Sequence, residues 1–316
     1  MIDGLKIIKI IHSTDRFDAY EARLDGHKVF AKKAKSDKTR ELLAGLPKNS
    51  EIVNGLGKKT GFKFRAPQIR QQKENWIITE WIDGESLGTR MLADPSYAAD
   101  ILARFFVVFD EETIAGEGFR QIFTKEGLAG RMTERLPTSL SVEQKKTLTA
   151  AKNLFDSLHS SLVPALQDAD IKPDHIFAVP KNRGAYVLVD SEHLSNQWPR
   201  FFDLGNNFVK FWIRGQKEFS NLLLKTFIAK SQISEEVIFQ PLLGTMIARG
   251  IALHWEVDYD PGAESYNIPR AQKMLKICLA ATNLDDLSST QGRVFRKYPL
   301  GWIVSDLGAG FAILFY

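Results

Sequence analysis

Two acidic residues at the ends of a short apolar hairpin place the tightest constraint on this chain. The stretch Asp168-Ala-Asp-Ile-Lys-Pro-Asp-His-Ile-Phe177 opens as a polar loop carrying Asp170 and runs into an apolar strand. Pro180-Lys-Asn-Arg-Gly184 supplies a turn, and Tyr186-Val-Leu-Val-Asp190 returns as a second apolar strand that ends on an acid. A hairpin folds the chain back on itself, so Asp170 and Asp190 are expected at one edge. Two carboxylates placed there can hold Mg²⁺ and orient a hydroxyl.

Around this stretch the sequence is that of an ordinary globular protein. Its 316 residues suit one large or two medium domains, and 44% hydrophobic with 25% charged residues is a normal balance. The net charge of +4 is too small to argue for a nucleic-acid partner. The single cysteine, Cys278, rules out an internal disulfide framework and fits a reducing, cytoplasmic compartment. Met1-Ile-Asp-Gly-Leu5 lacks a signal-peptide layout, and no run is long enough to span a membrane.

The N-terminal third alternates in the manner of strands. Lys6 to Ile11, Ala19 to Leu24 and Lys28 to Lys32 are expected strands, with a turn at Asp25-Gly26. A helix-like segment covers Asp37 to Ala44, and Asn49 or Ser50 can cap a second short helix. Strands are expected again at Gln68 to Gln72 and Trp76 to Trp81. From about Asp94 the periodicity is helical. Tyr97 to Phe109 shows it, with Phe105, Phe106 and Phe109 as core. Phe119 to Leu136 reads as helical pieces broken by Gly127 and Gly130. Ser141-Val-Glu-Gln144 is a capping box opening a long helix to about Leu162, with Leu148, Ala151, Leu154, Leu158 and Leu162 on one face. Further helices are expected at about Asp203 to Arg214, Gln216 to Ala229, Glu235 to Leu253 and Glu264 to Ala281.

Several of these pieces resemble the motifs of kinase-like phosphotransferases. Asp170-Ile-Lys-Pro-Asp-His175 is similar to their catalytic loop, Asp-Leu-x-Pro-x-Asn, and Val187-Leu-Val-Asp190 to the strand before their metal-binding Asp. Protein kinases follow that Asp with Phe-Gly. Here Ser191-Glu192 follow, closer to the aminoglycoside- and choline-kinase-like branch, and Phe201-Phe-Asp-Leu-Gly205 resembles its Tyr-Asp-Leu-Ala segment. Val29-Phe-Ala-Lys32 looks like the Val-Ala-Ile-Lys strand. The resemblance covers about Lys6 to Phe208. It implies an α+β, two-lobed kinase-like fold: a small antiparallel N-lobe sheet with a helix (1–82), a larger mainly helical C-lobe (83–300) and an apolar tail (301–316).

The resemblance also assigns roles. Asp170 would be the base and Lys172 would sit near the transferred phosphate. Lys32 would reach the nucleotide phosphates, held by Glu51, with Glu41 as the other acid considered. Asp190 and His175 would hold Mg²⁺, His175 standing where the family has Asn. Ser13 and Thr14 lie in the phosphate loop, which has no glycine here, and would offer hydroxyls and amides. Thr79 would line the adenine pocket beside backbone groups of Glu80 to Ile82. Asp203 would tie the loop to the core. Asp168 stands where the family usually has His.

The implied activity is ATP- and Mg²⁺-dependent transfer of phosphate to a hydroxyl of an unidentified small molecule, glycan or protein. A catalytically silent nucleotide-binding or regulatory module stays open, favoured by the glycine-free loop and His175. So does a metal-dependent hydrolase using Asp168, Asp170, His175, Asp190 and His193. The acidic, aromatic stretch His254 to Asp260 is either a substrate wall, with Trp255 or Tyr259 stacking on a cation, or a solvated loop.

Overall fold

A computed structural model describes residues 2–111, 118–179, 185–255 and 264–289. In chain order it opens with β1 (Leu5–Ser13), β2 (Phe17–Leu24), β3 (His27–Ala34) and α1 (Asp37–Lys59). There follow β4 (Phe64–Arg65), β5 (Ile69–Lys73), β6 (Trp76–Glu80), β7 (Glu85–Ser86), α2 (Leu87–Ala93), α3 (Pro95–Glu111), α4 (Lys125–Arg135) and α5 (Val142–Leu158). Then come β8 (Pro164–Gln167), β9 (Ile176–Ala178), β10 (Tyr186–Leu188), β11 (Ser195–Pro199), α6 (Phe202–Ile213), α7 (Lys217–Ser231), α8 (Glu235–Ala252), α9 (Glu264–Ala280) and α10 (Leu284–Ser289). Packing divides them into two compact units. One holds the chain up to Ala93 together with Asp170–His193, and the other holds Asp94–Ala169 and the helices after Leu194.

The first unit is built on a five-stranded antiparallel sheet, ordered β1-β2-β3-β6-β5. Its two faces follow from strand alternation. Val29, Ala31, Ala22 and Ile78 pack on one face with Ile2. Phe17, Ala34 and Ile77 pack on the other against Leu43 and Leu46 of α1. A smaller sheet, ordered β4-β10-β9-β7, joins the hairpin carrying Asp190 to the same unit. Its β9–β10 register pairs Val187 with Phe177 and Leu188 with Ile176, as a returning hairpin requires. The turn residues Pro180 to Gly184 lie outside the described residues.

One helix replaces the two short helices expected between Asp37 and Leu56. Ser36 caps it, in a reciprocal box with Thr39. Pro47 lies in its interior, where it removes the amide that would bond the Leu43 carbonyl. The helix runs through the proline, and the Gln72 side chain donates to that carbonyl at 3.2 Å, satisfying the acceptor. Near its end the helix crosses β4 closely: a Cβ on Gly57 would lie 2.0 Å from the Phe64 carbonyl oxygen.

The second unit is mainly helical, with the two-stranded pair β8–β11. Phe105, Phe106 and Phe109 are core, and the Ser141–Gln144 capping box opens α5 as expected. Phe155 is buried on α5 beside Leu148 and Ala151. Gly127 and Gly130 do not break α4. Gly127 instead permits close packing on the turn before the helix, since a Cβ there would lie 1.8 Å from the Gln121 carbonyl oxygen. Among the described residues no helix is long and apolar enough to cross a membrane. His254 and Trp255 are buried in this unit, so Trp255 offers no face for stacking a cation. Glu256 to Asp260 and the tail from Gly301 lie outside the described residues.

Candidate functional site

The site grows out of the β9–β10 hairpin. Lys172 is extended and Pro173–His175 form a single 3₁₀ turn, closed by the His175 amide donating to the Lys172 carbonyl at 2.9 Å. The Val189 amide donates to the His175 carbonyl at 2.8 Å and extends the ladder by one step. The chain then turns sharply at Asp190, whose φ of 68° is left-handed. A non-glycine residue in that region stores local strain. Here the bend aims Asp190 back toward the loop that carries Asp170 and His175.

The geometry at the bend is compact. Lys172 Nζ lies 3.3 Å from Asp170 Oδ2. His175 Nδ1 lies 3.8 Å from Asp170 Oδ2, and its Nε2 lies 3.6 Å from Asp190 Oδ2. Asp170, His175 and Asp190 each put one potential ligand atom within 4.8 Å of the others. Two carboxylates and an imidazole at that spacing fit a divalent cation.

Lys32 enters from β3, on the sheet face it shares with Ala34 and Ile77. Its Nζ lies 2.5 Å from Asp190 Oδ1 and 2.7 Å from Glu192 Oε1, with the Phe17 ring 4.2 Å away. Burial opposes the lysine's charge, but the two acids outweigh it and hold its pKa above the ordinary value. Asp190 is likewise opposed by burial and held well below the carboxylate range by Lys32. Glu192 is pushed well above that range, by burial and then by Asp190. Lys32 is therefore the cation of the cluster and Asp190 its anion, while burial and the neighbouring Asp190 oppose the charge of Glu192. Burial, then Lys172, lowers His175 to about 4, and burial lowers His193 to about 4, so both imidazoles are neutral.

The structure thus brings together Lys32, Asp170, Lys172, His175 and Asp190. It does not bring Glu51 to Lys32, which corrects the expected pair. The buried stripe of α1 runs through Leu46, Ser50 and Val53, so Glu51, one residue from Ser50, points outward and is exposed. Glu41 is exposed too. Asn49 instead holds the turn after Asp190, donating to the Ser191 carbonyl at 2.8 Å. Glu192 is the lysine's second partner. Its place two residues after Asp190 marked it as an acid near the site, but its bond to Lys32 spans 160 positions of sequence.

His12 is a further neighbour. Its pKa is lowered by burial and then by Lys32 and Lys172, which places it within electrostatic reach of both. A register shift between Ile10 and His12 breaks the alternation of β1, so strand periodicity does not predict the side on which His12 falls.

The β1–β2 turn uses its own polar groups. Thr14 Oγ1 accepts from the amides of Arg16 and Phe17 at 3.1 and 3.0 Å, and the Thr14 amide donates to the Phe17 carbonyl. Ser13 Oγ donates to Asp18 and accepts from Lys35. Thr79 is buried at the end of β6. The Glu80 carboxylate is engaged by Arg65 and the Gln68 amide, and its own amide donates to the Gln68 carbonyl. Ile82 follows, half-buried, beyond the strand.

In the second unit, the first turn of α6 holds the segment leading to Asp170. Asp203 Oδ2 accepts from the Asp168 amide at 2.9 Å, and the Asp203 amide donates to Gln167 Oε1 at 3.0 Å. Asn206 Nδ2 donates to the Ala169 carbonyl at 3.2 Å. His193 Nε2 lies 3.3 Å from an Arg16 nitrogen. Among the described residues the potential ligand set is thus the three-residue group, without Asp168 or His193.

No family model matches the chain, and no curated protein matches it in sequence. Solved structures match it in fold. An aminoglycoside phosphotransferase, APH(4)-Ia, superposes with a TM-score of 0.60 at 11% identity, covering 88% of this chain and 95% of that one. A microcompartment-associated aminopropanol kinase gives 0.61 at 12%, covering 88% and 92%. A choline/ethanolamine kinase family protein from Mesorhizobium loti gives 0.52 at 11%, covering 85% and 92%. The chain therefore has the two-lobed kinase-like fold, in the form found in aminoglycoside phosphotransferases and choline/ethanolamine kinase-like proteins.

Proposed function

We propose that this chain transfers the terminal phosphoryl group of ATP to a hydroxyl of a small acceptor. The observation that carries this reading is the convergence of Lys32, Asp190 and Glu192 in one buried cluster, with Asp170 alongside. Fold alone does not establish an activity, and the charge arrangement here is what phosphoryl transfer requires. Lys32 has a positive charge held in one place by two acids and suited to phosphate oxygens. Asp170 would orient the acceptor hydroxyl and take its proton as the oxygen bonds to phosphorus and the bond to ADP breaks. Asp190, with Asp170 and His175, would hold a divalent cation, which when bound neutralises phosphate charge. Solved structures of this fold include a spectinomycin phosphotransferase with ADP and spectinomycin and an aminoglycoside phosphotransferase with ADP, which supports a nucleotide and a hydroxyl-bearing acceptor here.

A second reading, a silent nucleotide-binding module, is favoured by the β1–β2 turn. The amides of Thr14, Arg16 and Phe17 are engaged inside it rather than held open for phosphate. Turnover separates the two. ATP consumption is measured with a panel of amino alcohols and aminoglycosides, for the wild type and Asp170→Asn. The wild type is expected to turn over with at least one acceptor, and Asp170→Asn to be slower by roughly 10²-fold or more while still stabilised by nucleotide. Equal rates in the two proteins would remove Asp170 from the chemistry.

A further inference from the structure

The ligand set at the hairpin edge differs from an all-oxygen cage, and the difference has a consequence for metal choice. Asp170 and Asp190 contribute carboxylate oxygen, and the third member, His175, contributes nitrogen. Mg²⁺ favours oxygen and keeps much of its water, whereas imidazole suits first-row transition metals. With metal–ligand bonds near ~2.1 Å, donors around one ion lie about 3 to 4.2 Å apart. The three groups lie within 4.8 Å of one another, so a small contraction seats a single ion.

His175 also lacks the bonds expected of a merely structural histidine. Its side chain is only 12% exposed, yet its Nδ1 is buried without a hydrogen-bond partner among the described residues. The backbone holds the loop instead: the His175 amide donates to Lys172 and its carbonyl accepts from Val189. The Nδ1 lies 3.8 Å from Asp170 Oδ2 and the Nε2 3.6 Å from Asp190 Oδ2, so a buried imidazole held between two carboxylates completes a donor set for a metal.

We propose that His175 makes this centre selective for a transition-metal dication, probed here as Mn²⁺, over Mg²⁺. The proposal rests on the phosphotransferase reading for the use of the ion, but its test does not depend on turnover. The full chain is titrated with Mn²⁺ while the free ion is followed by electron paramagnetic resonance, and Mg²⁺ is then added as competitor. Mn²⁺ is expected to bind at least tenfold more tightly than Mg²⁺. Pulsed spectra of the bound ion are expected to show coupling to an imidazole ¹⁴N. In His175→Asn the nitrogen coupling disappears and the Mn²⁺ preference narrows by about tenfold.

Bound Mn²⁺ with no nitrogen coupling in the wild type overturns the proposal without any need for the variant to fold. So does a Mg²⁺ affinity equal to that for Mn²⁺. ATP binding is measured on the same sample. If ATP binds and the nitrogen coupling is absent, selectivity fails and the phosphotransferase reading stands. If neither ion nor ATP binds, both fail.

Discussion

Lys32→Met is expected to lower unfolding stability at neutral pH by about 3 kcal/mol and to abolish nucleotide binding. Breaking a buried ion pair by removing one partner costs about 3–5 kcal/mol, because the remaining charge is left uncompensated. The lower end applies here for two reasons. The Asp190 side chain is 33% exposed and can rehydrate, and the charge of Glu192, only 4% exposed, is already opposed by burial and by Asp190. The effect has a definite pH dependence. Lys32 holds the folded-state pKa of Asp190 below its unfolded value. That contribution is present above the unfolded carboxylate pKa and is lost as pH falls through the folded one. The deficit of Lys32→Met should therefore be largest near neutrality and shrink in acid. Urea unfolding at several pH values checks it, and an unchanged midpoint at pH 7 would contradict the cluster.

The wild type is expected to lose about 2 kcal/mol through His254 alone between pH 7 and pH 5. His254 is fully buried on the second unit. Its Nδ1 donates to the Gly250 carbonyl at 2.9 Å, and its Nε2 accepts from the Gln272 side chain at 2.9 Å. A proton on Nε2 would face the Gln272 amide donor. Burial therefore lowers its pKa from 6.5 to about 4, opposed by the backbone bonds to Gly250 and Ile251. Between those values the unfolded chain binds more protons than the folded one, so stability rises with pH and falls as pH drops from 6.5 through 4. His254→Gln cannot titrate. Whatever its stability at pH 7, its decline to pH 5 should be shallower than that of the wild type by roughly the same 2 kcal/mol. An equal slope in both proteins would contradict the neutral, paired imidazole.

Local pattern made much of this molecule legible. The antiparallel strands, the 176–188 hairpin, the capping box at Ser141 and the long C-terminal helices all follow from alternation, period and cap chemistry, which are properties of neighbouring residues. The errors share a different origin. Two short helices are expected where α1 runs unbroken, and the Gln72 side chain that bonds the Leu43 carbonyl opposite Pro47 comes from a different element. Gly127 reads as a helix breaker because its packing against the Gln121 carbonyl cannot be seen in composition.

The candidate site divides along the same line. Asp170 and Asp190 were legible because each ends or opens a strand of one hairpin. Lys32 was legible from its strand. Its acidic partner was not, since helical phase carries Glu51 outward and the positive-φ bend at Asp190 carries Glu192 inward. His12 was hidden by the register shift in β1.

Nucleotide binding by the wild-type chain tests the central claim most directly. Melting temperature is recorded against ATP concentration, with and without a divalent cation. A ligand that binds only the native state stabilises it by about 2.7 kcal/mol at 100 times its Kd. The Lys32–Asp190–Glu192 cluster predicts a saturable rise in melting temperature with ATP, larger when Mn²⁺ or Mg²⁺ is present. No rise at millimolar ATP under either condition would contradict the assignment of these residues to a nucleotide.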